Sequence, residues 1–389
     1  ARVMRDGLPH RRLESWKFTD FANKLDAGLD LAQGTGGAPA TLFDDLKGHR
    51  IDIDGGQVKR VPGADELPDG LEIIGLADAL AMPALWLRQW LQPADGALEN
   101  LNLAFATGGA LVRVGRNVKV DDPVVIRMGL SEPGTMANAR SVVALEEGAD
   151  LVLIEIDDGT ADRQSFANTF TAISLEPGAR LRYLRVTTTA NPGIIVRTDS
   201  IDVARDASYR GVILQAAPAL ARQQMSARLS GRGASFHLSC AYVAGEGRHT
   251  DFTVDVTHEA PDTVSRILAK GVATQGGHGV VQGRAIVKPE AQKTDSHQVM
   301  RAMLLGDHAE IDQKPELEIY ADDVKCGHGA AVGALDPNQL FYLRQRGIPE
   351  AEARGLLIAA FLGEVTDRLP DPYRTPVEAW LASNMGLAS

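Results

Sequence analysis

Cysteine, aromatic residues and long apolar runs are all scarce in this chain of 389 residues. The two cysteines, Cys240 and Cys326, are too few for a disulfide framework, so we expect reduced thiols and a cytoplasmic protein. No run approaches the roughly 20 apolar residues that a membrane helix needs, so no membrane association is expected. The charged start of the sequence has no apolar segment typical of a secretory signal.

Motifs of nucleotide-dependent and hydrolytic enzymes are missing too. The sequence contains no G-x-x-x-x-G-K-[ST], no G-x-G-x-x-G, no C-x-x-C, no H-E-x-x-H and no G-x-S-x-G. These absences argue against ATP binding through a P-loop and against familiar catalytic machinery. The net charge of −11 argues against a nucleic-acid partner, which needs a basic surface. We therefore expect a protein that is not an enzyme.

Short strands dominate the middle of the sequence, from about residue 101 to residue 333. Apolar and polar residues alternate at 111–114, 151–154, 181–184 and 252–256, as is typical of strands. A turn residue followed by Ala recurs, with spacings of 30, 28 and 27 residues between positions 148, 178, 206 and 233. Such a period indicates a solenoid, in which each coil buries its apolar face against the next. A β-sandwich with evenly spaced turns is the alternative.

We predict a mainly β protein, a right-handed parallel β-helix over residues 101–333, with the turn–Ala steps stacked at a corner. Val152, Ile154 and Leu184 are expected to be buried interior positions. The turn–Ala steps are Gly109-Ala110, Gly148-Ala149, Gly178-Ala179, Asp206-Ala207, Gly233-Ala234, His308-Ala309 and Gly329-Ala330.

Helical segments are expected at both ends. Residues 1–100 are predicted to be helical and loop-rich, with helical spacing at 86–91 and a flexible break at 34–39. In the region 334–389, Asp336 and Pro337 predict a helix start and Gly347 its end. A second helix is expected from Pro349 to about Leu369, and a third over 376–382. One apolar stripe of the second helix is predicted to comprise Ala353, Leu356, Leu357, Ala360, Phe361 and Val365.

Cysteine and histidine suggest a site near the end of the strand region. Seven of the nine histidines lie between residues 237 and 328. His237 and Cys240 are an odd number of positions apart and should face opposite ways on a strand. Cys326 and His328 should share one face, with Lys325 on the other. A thiol and an imidazole suit iron or an iron–sulfur cluster, but two ligands do not complete a site. Either the pairing is accidental or another chain supplies the remaining ligands.

Two rival functions fit a β-helix. Polysaccharide lyases of this fold use clustered carboxylates with a basic residue, and Glu316, Glu318, Asp322, Asp323 and Lys325 offer such a set. However, a carbohydrate site needs aromatic platforms, and aromatic residues make up only 5% of this chain. A structural solenoid that polymerises end to end is the other alternative.

Four segments resemble the SufB/SufD family of iron–sulfur cluster assembly scaffolds. Residues 314–330, which include Lys325-Cys326-Gly327-His328, are similar to its signature stretch, and residues 340–348 to the block that follows. Residues 291–305 and the N-terminal residues 8–19 match further family patterns. The resemblance is to the SufD type. Gly329 stands where SufB-type chains carry Glu, and the stretch before Met303-Leu304-Leu305-Gly306-Asp307 has no cysteine. Gly327 replaces a Ser found in many relatives.

The resemblance implies a parallel β-helix flanked by helical regions and a place in a SufBCD complex. It implies pairing with a SufB-like paralogue and docking of a SufC-like ATPase by the C-terminal helices, for which we select Leu356, Leu357 and Phe361. A transient cluster would form at the SufB–SufD interface, with His328 contributing and Cys326 assisting. Reduced flavin on the complex is a further implication, and a homodimer of the isolated chain stays open.

Overall fold

The computed structural model describes residues 7–25, 28–34, 42–81, 96–129, 132–158, 165–187, 193–216 and 219–384. The protein is mainly β, with 49% strand and 18% helix, and forms a parallel β-solenoid of about seven turns. The mainly β, parallel solenoid fold with helices towards the termini is thereby confirmed. The helix expected at 86–91, and all of the break expected at 34–39 except Gly34, lie outside the described residues.

In the described residues, two sheets of ten strands each form the walls of the solenoid, and from β5 onwards successive strands alternate between them. The first sheet contains β1 (Asp30–Leu31), β4 (Leu71–Gly75), β5 (Ala110–Val114), β7 (Thr135–Leu145), β9 (Phe166–Leu175), β11 (Ile194–Val203), β13 (Leu220–Leu229), β15 (His249–His258), β17 (His278–Val287) and β19 (Glu310–Ile319). The second contains β2 (His49–Asp54), β3 (Gln57–Arg60), β6 (Val124–Gly129), β8 (Asp150–Asp158), β10 (Arg180–Thr187), β12 (Ser208–Ala216), β14 (Ser235–Ala244), β16 (Val264–Ala273), β18 (Asp295–Leu304) and β20 (Lys325–Gly333).

One corner of the solenoid is a column of residues with positive φ. Each amide N–H in this column donates to a carbonyl of the next coil, at N···O distances of 2.5 to 3.3 Å. The column contains Asn117, Gly148, Gly178, Asp206, Gly233, Asp262 and Lys293. Four predicted turn–Ala steps, at 148, 178, 206 and 233, therefore stack as expected. The steps at 262 and 293 were missed because Thr, not Ala, follows the turn residue.

Three other predicted steps do not belong to this column. His308 lies at a different corner, where Gly276 donates its N–H to Asp307 of the next coil. Gly109-Ala110 leads into β5, and Gly329-Ala330 lies inside β20. The prediction of a corner at Gly329 was therefore wrong, since an extended strand passes through it.

Apolar side chains fill the space between the two sheets. Leu151, Leu153, Tyr209 and Phe236 belong to this core, and the small Ala149 lies within it with no exposed surface. Val152, Ile154 and Leu184 are buried as predicted, but they do not face the interior. They lie on the outer face of the second sheet, where C-terminal helices cover them. Alternation cannot distinguish two faces that are both covered.

The N-terminal region contributes strands as well as helices. Its helices are α1 (Phe21–Lys24), α2 (Leu76–Ala81) and α3 (Ala97–Phe105), with 3₁₀ turns at Glu14–Trp16 and Ala64–Glu66. However, β2 joins the second sheet in parallel with β6, while β3 and β4 pair antiparallel with β2 and β5. The expectation of a helical and loop-rich region missed these strands, because short strands of four to six residues carry little pattern.

Three helices follow the last strand: α4 (Pro337–Gln345), α5 (Glu350–Thr366) and α6 (Arg374–Asn384). Asp336 caps α4 by accepting a hydrogen bond from the N–H of Asn338 at 2.8 Å, and Gly347 has a φ of 82°, as predicted. The buried side of α5 differs from the predicted stripe, since it includes Ile358 and Leu362 whereas Leu356 and Ala360 are exposed. Within the described ranges, no helix is long and apolar enough to cross a membrane.

Candidate functional site

The last coil of the solenoid leaves two strand edges open. Among the described residues, β19 pairs only with β17, and β20 pairs only with β18. Lys325 donates its N–H to the carbonyl of Thr294, on the β18 side. Because backbone N–H groups alternate in direction along a strand, those of Cys326, His328 and Ala330 point towards the open edge. Such a row of unpaired groups can pair with a strand of another chain.

Pro315 makes the two edges unequal. Glu310 and Tyr320 donate their N–H groups towards β17, so the even-numbered residues of β19 bond inwards and the odd-numbered ones face the open edge. Pro315 occupies an outward position, where its missing N–H removes no bond of the sheet. Proline on an edge strand opposes further pairing. The edge of β19 is therefore blunted, and β20 has no proline.

Cys326 and His328 share one face of β20, as the sequence predicts. They are in register with Ser296 and Gln298 of β18, whose side chains are buried between the sheets. Both site residues thus extend the inner face of the solenoid into its open end. Cys326 is half-buried beside Val287, Ala291 and Ala321, while His328 is exposed. The site residues are accessible because no further coil covers them in the described chain.

Burial controls the chemistry of the two thiols. Partial burial, with a smaller contribution from the negative charge of Asp295, raises the pKa of Cys326 above its ordinary value, although the Ser296 backbone opposes the shift. Asp295, on the neighbouring strand β18, is thus the charged residue that acts on this thiol. Cys326 is therefore a neutral thiol at pH 7, and metal binding must displace its proton. Cys240 is fully buried in the core, on the opposite face of β14 from His237.

The glycines flanking His328 stand in open space. A Cβ atom built at Gly327 would meet only the ring of His297, at 3.7 Å or more, and one at Gly329 would meet nothing within 4 Å. The Ser and Glu that we expect at these positions in relatives would therefore fit this backbone. The two departures from the family pattern carry no structural cost here.

Large exposed apolar side chains are concentrated in the last coil and the helices after it. Among the described residues these include Ile319 at 41%, Tyr320 at 62% and Val332 at 44% exposure, and Phe341, Tyr342 and Leu356 beyond them. Exposed apolar residues beside an open strand edge mark an interaction surface. The sequence did not single out Tyr320 or Val332, because an alternating strand looks the same whether or not another coil covers it.

The three residues predicted to bind an ATPase differ in exposure. Leu356 is 48% exposed, so it is accessible to a partner. Leu357 and Phe361 are half-buried, and the Lys270 ammonium lies 4.5 Å from the centre of the Phe361 ring. Phe361 therefore serves mainly to pack α5 against the second sheet.

The carboxylates of the lyase alternative are not brought into one site. Glu316 and Glu318 lie on the outer face of the first sheet, where they pair with Lys314 at 3.2 Å and Arg284 at 3.5 Å. Lys325 lies on β20, in the second sheet, and its side chain points away from the interior. The body of the solenoid therefore separates Glu316 and Glu318 from Lys325.

Comparison with known proteins identifies the family. The family model described as SUF system FeS cluster assembly, SufBD core domain, matches residues 128–361, which is more than half of the chain. The chain belongs to the SufBD family. Iron–sulfur cluster assembly SufBD family proteins from Synechocystis and Mycobacterium bovis are each 29% identical to it, over 93% and 94% of this chain and 84% and 86% of those proteins. The Escherichia coli iron–sulfur cluster assembly protein SufD is 28% identical, over 95% of this chain and 87% of that protein.

SufBD membership confirms the predicted family and its connection with iron–sulfur clusters. In the described part of the chain, no three His, Cys, Asp or Glu side chains form a group that could hold a metal ion. Cys326 and His328 provide two ligands on one face, whereas clusters are generally held by four. Any cluster that these residues touch thus needs ligands from elsewhere.

Proposed function

We propose that this chain is a non-catalytic scaffold subunit that pairs along β20 with a SufB-like, cysteine-bearing paralogue, and that an iron–sulfur cluster forms at their interface. One observation carries the proposal. The same strand presents Cys326 and His328 on its inner face and unpaired N–H groups along its edge. A partner strand added there would bring its own side chains beside both residues, because cross-strand neighbours lie about 5 Å apart.

Each residue has a distinct role in this proposal. His328 binds iron through a neutral ring nitrogen, and its exposure leaves that nitrogen free to reach a ligand. Cys326 lies two residues away on the same face and binds after losing the proton that burial favours. The paralogue supplies the remaining thiolates or carboxylates. The cluster is the cargo of the complex and leaves it when complete, so an incomplete set of ligands on each chain favours release.

The second part of the proposal concerns the partner that hydrolyses nucleotide. The sequence has no P-loop, so a SufC-like ATPase would supply nucleotide hydrolysis and dock on the helices after Gly333. Exposed Leu356, Phe341 and Tyr342 support such docking, because they leave apolar surface uncovered on α4 and α5. Both cysteines are unpaired, as expected in a reducing compartment, and we place the proposed role in the cytoplasm.

The first prediction tests His328. We expect His328→Ala to lower the cluster yield of the complex reconstituted with a cysteine-bearing paralogue and a P-loop ATPase by about tenfold or more, as removal of supporting metal-site groups does. Assembly and thermal midpoint should stay unchanged because His328 is exposed. Absorbance and iron and sulfide content measure the yield, and gel filtration measures assembly. Lys325→Ala is the matched control, since the Lys325 side chain lies on the opposite face of the same strand.

Three outcomes of that experiment distinguish a ligand role of His328 from a role in holding the interface and from no role at the site. Lost yield with intact assembly assigns a ligand role to His328. Lost assembly would show that His328 holds the interface rather than the cluster. Normal yield in His328→Ala, or an equal loss in Lys325→Ala, contradicts the proposed site.

A further inference from the structure

A groove of about 900 Å³ lies on the side of the protein away from the open inner face of the last coil. Its floor is the outer face of the second sheet, from β8 to β18, and its wall is the chain from the end of α5 to the start of α6. The volume is in the range of small-molecule sites. None of the residues discussed for cluster assembly lines it.

A column of cationic and imidazole side chains follows the floor of the groove. Arg182, Arg210, His237, Arg266 and His297 are directly in register on five successive strands. Since neighbouring strands are about 4.8 Å apart, the column is about 19 Å long. The adjacent column towards the C-terminal end of the strands is mainly apolar: Leu184, Val212, Ser239, Leu268 and Val299. The groove therefore offers a charged strip beside an apolar one.

Carboxylates neutralise the two ends of the charged column but not its middle. Asp150 accepts a hydrogen bond from Arg182 at 2.7 Å. Asp295 bonds Arg266 at 2.5 Å and contacts the Nδ1 atom of His297 at 3.0 Å. By contrast, the Arg210 guanidinium makes no hydrogen bond or ion pair with any described residue. The middle of the column thus carries uncompensated positive charge, in a chain whose net charge is −11.

The wall adds further positive charge opposite this unpaired centre. Arg368 and Arg374 line the groove from the α5–α6 connection, and Arg301 lines it from β18. Arg374 contacts Asp367 at 3.7 Å, and Glu364 pairs with Lys270, so these two carboxylates offset only part of the charge. Burial, followed by the charges of Arg210, Arg266 and Arg368, lowers the pKa of His237 below its ordinary value. The positive charges of these arginines therefore act together on His237, in the middle of the column.

Like charges directly opposite each other on adjacent strands are destabilising, yet Arg182 and Arg210 occupy such positions. Their guanidinium groups present forked donors that match phosphate oxygens. We propose that this groove binds a small molecule carrying two or more phosphate groups, with the phosphates at Arg210, His237 and Arg368 and an apolar portion over Leu184, Val212 and Leu268. This proposal is independent of the cluster site.

A small phosphorylated molecule fits better than an acidic protein segment for two reasons. The charged column crosses five strands, and an apolar strip runs parallel to it. The phosphates and the apolar portion of one compact ligand are therefore accommodated side by side. In addition, Arg210, the arginine of the column without a carboxylate partner among the described residues, lies inside the column between Arg182 and His237, whereas an extended acidic segment would place charge along its whole length, including the ends where Asp150 and Asp295 already lie.

The test measures binding of inorganic pyrophosphate to the purified chain of 389 residues by isothermal titration calorimetry at two salt concentrations. We expect saturable binding of one pyrophosphate per chain. Arg210→Gln and Arg368→Gln should each weaken binding by about tenfold, as loss of a charged hydrogen-bonding partner does. Both side chains are exposed, so folding should be unaffected, and a thermal melt checks this. Arg205→Gln removes an equal charge at an exposed corner outside the groove and is the matched control.

The competing explanations give different results. Absence of saturable binding in the millimolar range overturns the proposal. Equal weakening by Arg205→Gln would show a general charge effect and also overturns it. Tighter binding of a glutamate octamer than of pyrophosphate, sensitive to Arg210→Gln, would identify the groove as a docking site for an acidic protein segment instead. Weakening confined to the two groove variants, with pyrophosphate preferred over the octamer, supports the assignment.

Discussion

His258 is held inside the solenoid by hydrogen bonds to both of its ring nitrogens. Its Nδ1 atom lies 2.8 Å from the hydroxyl of Thr263, and its Nε2 atom lies 2.9 Å from that of Ser265. The side chain has no exposed surface. Burial lowers the pKa of His258 to about 4, so the folded protein holds it neutral. Unfolding returns the imidazole to its ordinary pKa near 6.5.

The second prediction follows from that difference. Between about pH 6.5 and pH 4 the unfolded chain binds a proton at this position that the folded chain does not, so stability falls as the pH is lowered through this window. We expect the free energy of unfolding to decrease by up to about 3 kcal/mol for one such group, measured by urea titration. His249, with a pKa lowered by burial to about 2, acts in the same direction. His258→Gln should retain hydrogen bonding and reduce the slope. An unchanged slope in this variant contradicts the assignment.

The sequence alone predicted the orientation of single side chains where the alternation of a strand between its two faces determines it. Alternation placed Cys326 and His328 on one face and Lys325 on the other, and the structure agrees. It could not show that Asp295, two strands earlier in the chain, influences the Cys326 thiol, because that contact depends on register between β18 and β20. Nor could it place Glu155 and Arg185 inside the solenoid, where they form a fully buried ion pair, since charged residues are normally expected outside.

Helix α5 has two faces with different tasks. Leu362 and Val365 are fully buried against the outer face of the second sheet, whereas Leu356 points to solvent. The sequence analysis placed Leu356 in one apolar stripe with Ala353 and Val365, because apolar residues nearly surround this helix and leave its period ambiguous. The structure thus divides the predicted stripe into a packing face and an exposed apolar position, and only the second is available to a partner.

The third prediction compares one variant on each face of α5, so that each serves as the control for the other. Leu362→Ala should cost about 2–5 kcal/mol of stability, as expected for a buried leucine. Leu356→Asp should leave the urea midpoint nearly unchanged because the side chain is exposed, while abolishing capture of the P-loop ATPase in a pull-down. Retention of the ATPase by Leu356→Asp would remove this residue from the proposed docking surface. A large loss of stability in that variant would show that the exposed face also packs.

The recurring coil could be predicted from the sequence, but the N-terminal strands that extend the two sheets could not. The spacing of 27 to 30 residues identified coils because a positive-φ corner recurs once per coil, and Gly or Asp followed by Ala marks it. The corners at residues 262 and 293 were not predicted, since Thr263 and Thr294 replace Ala and bond each other at 3.1 Å along the column. The N-terminal strands escaped for a different reason, because β2 to β4 are joined to the sheets by contacts distant in sequence.

The two ends of the molecule are finished differently. At the N-terminal end, β3 and β4 pair antiparallel with their neighbours, and reversing the strand direction stops the parallel winding. At the C-terminal end, β19 and β20 continue the parallel register up to their last residues. Nothing in the described chain covers the edge of β20, and Pro315 blunts only β19. Taken as a whole, the described part of the molecule is a solenoid with antiparallel strands at one end and an unpaired parallel strand edge at the other.

The last prediction tests that open end by introducing proline into β20. Ala330 directs its N–H towards the open edge, so Ala330→Pro removes no bond to β18 but blocks pairing with an added strand. We expect this variant to lose association with the cysteine-bearing paralogue in gel filtration with light scattering, and to retain the thermal midpoint of the unpaired chain. Ala331 directs its N–H towards β18, so Ala331→Pro should lower the midpoint by breaking the existing ladder.

The contrast between these neighbouring alanines makes the test specific to the strand edge. Both substitutions change one small exposed residue to proline, so differences in side-chain size or chemistry cannot account for divergent results. If both variants associate normally, β20 is not the pairing edge, and the shared cluster site proposed for Cys326 and His328 loses its structural basis. If Ala330→Pro alone abolishes association while the chain stays folded, the partner must approach along β20, which places its side chains beside those two residues.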